Sequence, residues 1–297
     1  MTPTPLRARL AACAALAFLT LPSCGPRAPE PGPVHPLPAY AEVHAASDAR
    51  AAQIARLWCR TVTQVWFSNE KGELSQEQLD GVMQFTQPRS FSASFRKLNE
   101  EYARMGSNDE HYWWLDRSAR PVAIVGSHEF ATAELRARLG FTLYPPDLID
   151  LLGFTPLPDS PEGTVERVDG KAVVTVPART GSRRVTIDPV TLEPSGVELL
   201  DENGKVLVRS TLEGYQDVDM PADIKPRVPG KVSIDFADRP DRAALHLHAP
   251  ENKRWRPNAS AFDFSQHLRG YHVAPEDFDI LDPSAARLVE SVTGGGR

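Results

Sequence analysis

The sequence predicts a mainly β protein of the α+β class, one large antiparallel sheet accompanied by a few short helices, and three observations carry that expectation. Phe91, Ala93 and Phe95 alternate with Ser92, Ser94 and Arg96, the period-two pattern of a half-buried strand. In the second half Asp169-Gly170 and Asn203-Gly204 separate strand-like runs, and hairpins following one another build a single antiparallel sheet. Helical spacing of apolar residues appears only in short stretches.

Taken in order, the chain opens with Arg7 and Arg9, an apolar run from Leu10 to Leu21, and then Leu21-Pro22-Ser23-Cys24. About a dozen apolar residues are too few to cross a ~30 Å hydrocarbon layer as a permanent helix, so a cleaved secretion signal is expected. The stretch resembles the lipobox of bacterial lipoproteins, with Pro22 where that motif more often carries Ala, Ser, Thr or Val. The resemblance implies a lipoprotein signal peptide at 1–23 and a lipid-bearing Cys24 that becomes the first residue. Read without the resemblance, the residues also fit an ordinary signal peptide cut near Ser23, leaving Cys24 a free thiol. Gly25 lacks the acidic group that holds lipoproteins at the inner membrane. The implied address is therefore the bacterial cell envelope, lipid-anchored in the outer membrane and facing the periplasm. Each buried methylene of such an anchor contributes ~0.8 kcal/mol, so two or more chains hold where one does not.

The formal charge of -6 and pI near 5.8 argue against a nucleic-acid partner, which needs a basic face. Cys13 leaves with the signal and Cys24 would be acylated. Cys59 is then alone, and no disulfide forms within the mature chain. After Cys24 no apolar stretch approaches the ~20 residues of a spanning helix, so lipid at Cys24 is the expected membrane contact.

Residues 24–38 carry prolines at 26, 29, 31, 33, 36 and 38 and are expected to form an extended tether. Tyr40, Val43, Ser47, Ala51 and Ile54 recur at helical spacing, which predicts a helix from 39 to about 56. Strands are expected near 57–67, 82–87, 91–98, 110–115 and 121–125, with Gly106-Ser107-Asn108-Asp109 as a turn. Two short helices follow: 130–139, marked by Ala131, Leu135 and Leu139 and closed by Gly140, and Pro146 to Leu152, closed by Gly153. Further strands are placed near 164–168, 171–178, 183–188, 196–200, 205–215, 231–237 and 243–249, with type I′ turns at both glycine dipeptides. The last segment, 274–297, reads as an acidic extension with a short helix at 284–292 and a fraying Gly tail.

With Gly106 to Asp109 and Tyr112-Trp113-Trp114 the chain begins to resemble the Lol-pathway family of outer-membrane lipoprotein carriers and receptors. Arg120-Pro121 to Gly126, Pro146 to Gly153, Asp188-Pro189-Val190-Thr191, Asp201 to Gly204, Tyr215 and Val232 to Phe236 follow in the family's order. The resemblance covers roughly 45–265. It implies an unclosed β half-barrel at 39–273, covered by a helical lid, with an apolar cavity that takes up acyl chains. It assigns no particular cavity residue. Leu148 and Leu152 are the lid positions where a charge is expected to weaken binding.

Other candidate chemistry is thin. His246 and His248 share one strand face, but a metal site needs a third ligand, and Asp235 is a candidate only under one register, so solvent-facing histidines are the expectation. Ser127-His128-Glu129 holds catalytic residue types that diverge along a strand, and neither a G-x-S-x-G elbow nor a phosphate loop is present. Lys253-Arg254-Trp255-Arg256 suits lipid headgroups or a solvated hairpin end. Trp113 and Trp114 point to opposite faces, so at most one lines a cavity. The expected function is binding of a lipid or of lipoprotein acyl chains, without catalytic residues, metal or cofactor. A scaffolding lipoprotein with a filled cavity is the alternative, and an enzyme a more distant one.

Overall fold

The computed structural model describes residues 35–68, 72–117, 120–132, 144–160, 163–179, 181–221, 223, 225–252 and 259–293. Cys24, the tether before residue 35, the expected helix beyond residue 132, the basic run 253–256 and the Gly tail lie outside these residues.

Helix α1 (Tyr40–Gln53) buries Val43, Ser47 and Ala51, the face its apolar spacing predicts. It leads into two meanders of strands. The first holds β1 (Arg56–Ser68), β2 (Leu74–Thr86), β3 (Ser90–Lys97), β4 (Glu100–Ser107), β5 (His111–Asp116) and β6 (Val122–Ser127). Helix α2 (Asp147–Leu151) separates it from the second: β7 (Glu166–Val168), β8 (Lys171–Ala178), β9 (Gly181–Ile187), β10 (Pro194–Leu200), β11 (Val206–Glu213), β14 (Lys231–Phe236) and β15 (Arg242–Glu251). Between β11 and β14 a small ribbon is formed by β12 (Gln216–Asp217) and β13 (Arg227–Val228).

Pairing of β1 with β15 stitches the two meanders into one sheet, 14-stranded among the described residues, that runs β16-β6-β5-β4-β3-β2-β1-β15-β14-β11-β10-β9-β8-β7. Here β16 (Phe278–Ile280) lies parallel to β6, and the other neighbours are antiparallel. The sheet is curved and does not close. Its concave side is packed by α1, by Leu148, Ile149, Leu151 and Leu152, and by Phe154 and Leu157. The predicted fold class is therefore present.

Two cross-strand pairs show how aromatic side chains shape the β4–β6 region. Trp113 lies opposite Gly106 and Tyr112 opposite Gly126, and a Cβ on either glycine would fall inside contact distance of the ring facing it. The aromatic side chain thus covers the backbone of its partner. Trp113 points to the convex side, where α3 (Phe264–Tyr271) and α4 (Pro283–Thr293) cover it. Helix α3 presents Phe264, Leu268 and Tyr271, one helical stripe, and is capped by Asp263, whose carboxylate accepts from the Ser265 and Gln266 amides.

Several boundaries differ from the sequence reading. Strand β4 begins before the expected Gly106 turn, because Leu98 and Asn99 both adopt positive φ (52° and 70°) and make a tight hairpin without glycine. Gly106 and Ser107 are strand residues, and the turn itself is closed by Asn108, whose Oδ1 accepts from the amides of Glu110 and His111. The Asp169-Gly170 turn has two positive φ values, as type I′ requires. At Asn203-Gly204 only Gly204 does. Asp201 Oδ1 accepts from the Asn203 and Lys205 amides there, so the connection is a carboxylate-capped loop ending on a left-handed glycine.

Candidate functional site

The concave face is filled along most of its length, but at one end it leaves an apolar cavity of about 550 Å³. Strand alternation sends every second side chain inward, and seven strands contribute. β1 supplies Thr63, Val65 and Phe67, β2 supplies Leu79, and β3 supplies Phe95. Ala103 and Met105 come from β4, Trp114 from β5, Ile234 and Phe236 from β14, and Ala243 and Leu245 from β15. Phe95 and Trp114 stand together, ring centroids 6.1 Å apart. Helix α2 closes the inner end with Leu148.

The lining is apolar apart from Thr63, whose buried Oγ1 makes no hydrogen bond, and from charges gathered at the mouth. Arg242 sits 4.6 Å over the Trp66 ring and Arg239 5.6 Å over Phe236. Glu77 receives Lys97 Nζ at 3.0 Å, and Asp241 Oδ1 accepts from the Ser68 amide. An apolar wall with a charged rim suits an amphiphile that enters tail first.

The two tryptophans divide as the alternation requires. Trp114 lines the cavity, and Trp113 is buried on the far side, 5.8 Å from the Phe264 ring. The two leucines singled out in α2 and at its end also diverge: Leu148 lies on the cavity wall, whereas Leu152 is fully buried in the main core.

Elsewhere the register separates groups that the sequence left adjacent. His246 and His248 stack on the convex face, centroids 6.4 Å apart. Opposite His246 stands Lys231, while Asp235 pairs with Arg242, a full four residues along the strand. Asp235 is therefore not placed to complete a site with the histidines. Ser127 donates through its amide and hydroxyl to Asp282, while His128 turns away and bonds the Asn108 carbonyl through Nε2 at 2.8 Å. Burial pushes His128 down to about 4, so it is neutral at pH 7. Cys59 is fully buried, and that burial pushes its thiol up to about 12, which makes it a packing residue.

Asp282 fastens the C-terminal segment to this edge. Besides Ser127, its carboxylate accepts from the amides of Ser284 and Ala285, capping α4, while β16 pairs along β6. The sequence signal for this clamp, Asp282 just before Pro283, is a helix start, and nothing in it indicates the parallel partner.

No family model matches the sequence, and no curated protein matches it either. Solved structures do match in fold. A LolA superfamily protein of Nitrosomonas europaea superposes over 76% of this chain and 98% of its own, with 10% identity and a TM-score of 0.50. A DUF1329 family protein of Desulfovibrio piger superposes over 77% of this chain and 99% of its own, with 11% identity and a TM-score of 0.52. At such identities the likeness is one of fold, and in fold this chain is LolA-like: a curved, unclosed antiparallel sheet wrapped around short helices.

Proposed function

We propose that this protein is a lipid-anchored envelope protein that binds an apolar ligand, a lipid or the acyl chains of another lipoprotein, in the cavity beside α2. The observation that carries the reading is the cavity itself: about 550 Å³, walled by Trp114, Phe95, Met105, Ile234 and Leu245. That volume lies within the range of ~300–1,000 Å³ typical of small-molecule sites. A dozen methylenes transferred into it at ~0.8 kcal/mol each supply roughly 10 kcal/mol, comparable with the ~4–15 kcal/mol cost of association. A scaffold with a filled concave face is disfavoured, because α1 and α2 pack the remainder of that face and leave this end open.

In the same reading residues 1–23 are the signal peptide, Cys24 carries the lipid, 24–38 form the tether, 39–273 hold the cavity and most of the sheet, and 274–297 are an acidic C-terminal extension whose β16 adds an edge strand along β6. Anchoring in the outer membrane, facing the periplasm, is supported by the lipobox resemblance and by Gly25. Catalysis has no part in it.

The test is a titration of the purified protein with a fluorescent long-chain fatty acid, alongside native mass spectrometry for copurified lipid. Saturable uptake is expected. A folded protein that takes up none and carries no lipid would return the scaffold reading to first place.

A further inference from the structure

A second cleft, of about 580 Å³, opens on the other side of α2 and differs from the cavity in chemistry. Pro88, Pro146, Pro156, Pro158 and Pro177 stiffen its walls, and three arginines, Arg89, Arg179 and Arg183, reach it. Prolines carry no amide hydrogen, so these positions add no backbone donors, and cationic side chains dominate the donors of the cleft. We infer that this cleft is a binding site for a phosphate group, gripped by Arg89, Arg179 and Arg183.

Two of the arginines are held in place before any ligand arrives. Arg183, only 4% exposed, donates to Asp150 Oδ1 at 2.9 Å and to the Thr155 and Pro156 carbonyls at 3.2 and 2.8 Å. Arg179 lies 5.8 Å over the Tyr144 ring, with Nη1 3.1 Å from His128 Nδ1 and Nε 3.7 Å from Asp147 Oδ1. Because His128 Nε2 donates to the Asn108 carbonyl, its Nδ1 is the acceptor for Arg179 and adds no positive charge. Arg89 is exposed and pairs with no carboxylate among the described residues.

Three guanidinium groups thus face two carboxylates, an excess of positive charge in a protein whose net charge is negative. Planar guanidinium forks match phosphate oxygens, and three of them, Arg89 from the β2–β3 turn and Arg179 and Arg183 from the β8–β9 hairpin, suit a tetrahedral anion better than a two-oxygen carboxylate. The held Arg179 and Arg183 and the proline walls lower the ordering cost of binding, which falls mainly on Arg89. The phosphate belongs either to a free small anion or to a lipid headgroup.

The experiment uses the full chain in a non-ionic detergent, titrated calorimetrically with inorganic phosphate and, separately, with dihexanoyl phosphatidate, at matched ionic strength. Saturable binding of inorganic phosphate assigns a free anion, and saturable binding of the phosphatidate alone assigns a headgroup. In either case Arg89→Gln should weaken binding roughly tenfold, the scale of one charge-assisted hydrogen bond, without moving the melting temperature. Arg179→Lys keeps the charge but loses the fork, and should weaken binding in the same direction. Failure of both probes to saturate, or unchanged affinity in both variants, overturns the proposal.

Discussion

Filling the cavity from its own wall separates ligand binding from stability, because the two should move in opposite directions. Ala243 on β15 is the position for it. It lies on the cavity wall, packs against the main core and stands opposite Val65 and Ile234, both of which also line the space. Ala243→Leu adds three carbons to a side chain facing about 550 Å³ of room. The new carbons occupy space that ligand methylenes would otherwise fill, so at ~0.8 kcal/mol each the ligand loses about 2.4 kcal/mol, roughly fiftyfold in affinity. The unliganded protein gains apolar burial without a clash and should unfold at equal or higher denaturant concentration. Fluorescent fatty-acid titration reads the first effect and urea denaturation the second. A folded Ala243→Leu protein whose affinity stays within about twofold of the parent would refute the assignment of the ligand to this cavity.

Three further outcomes are expected. Cys24→Ser should move the protein from the membrane fraction to the soluble fraction on cell fractionation, and unchanged membrane association would remove the anchor from the reading. Asp282→Ala leaves the Ser127 amide and hydroxyl and the first amides of α4 without their acceptor, and should cost about 2–4 kcal/mol in chemical denaturation, a loss that Asp282→Asn recovers in part. His128 is held down to about 4 by burial, so between pH 6.5 and 4 the unfolded chain binds a proton that the folded chain refuses. Stability should therefore fall as pH drops through that window, less steeply in His128→Gln, and identical pH slopes for the two proteins would contradict the assignment.

The parts of the fold legible in the sequence are those fixed by local pattern. Period-two runs located most strands, Asp169-Gly170 located a hairpin, and proline, acidic and glycine punctuation located α2. Strand β4 escaped because its turn places Leu98 and Asn99 at positive φ, where sequence rules look for glycine. The first half of β2, Leu74 to Asp80, escaped because its outer face is exposed and its inner face carries Ser75 and Glu77 beside the single buried Leu79, too little apolar alternation to read. The cavity was legible only as one face of the Trp113-Trp114 pair and as Leu148 in the expected lid. Its other walls come from strands far apart in the chain, and register, which no single segment encodes, decides which side chains meet. The same holds for Asp235, near His246 on one choice of register and opposite Arg242 in the fold.

The seam between β1 and β15 has a consequence for how the chain reaches this state. Trp66 pairs with Arg242 and Val62 with His246, so one of the earliest strands must wait for one of the latest. Each meander closes its hairpins locally and quickly, whereas the seam demands a loop closure spanning most of the sequence. Until β15 is available, one whole edge of β1 is unpaired, a row of amides and carbonyls open to any other extended chain. A protein emerging amino-terminus first would spend that interval with β1 in need of a chaperone, and the seam is where misassembly between two copies would begin.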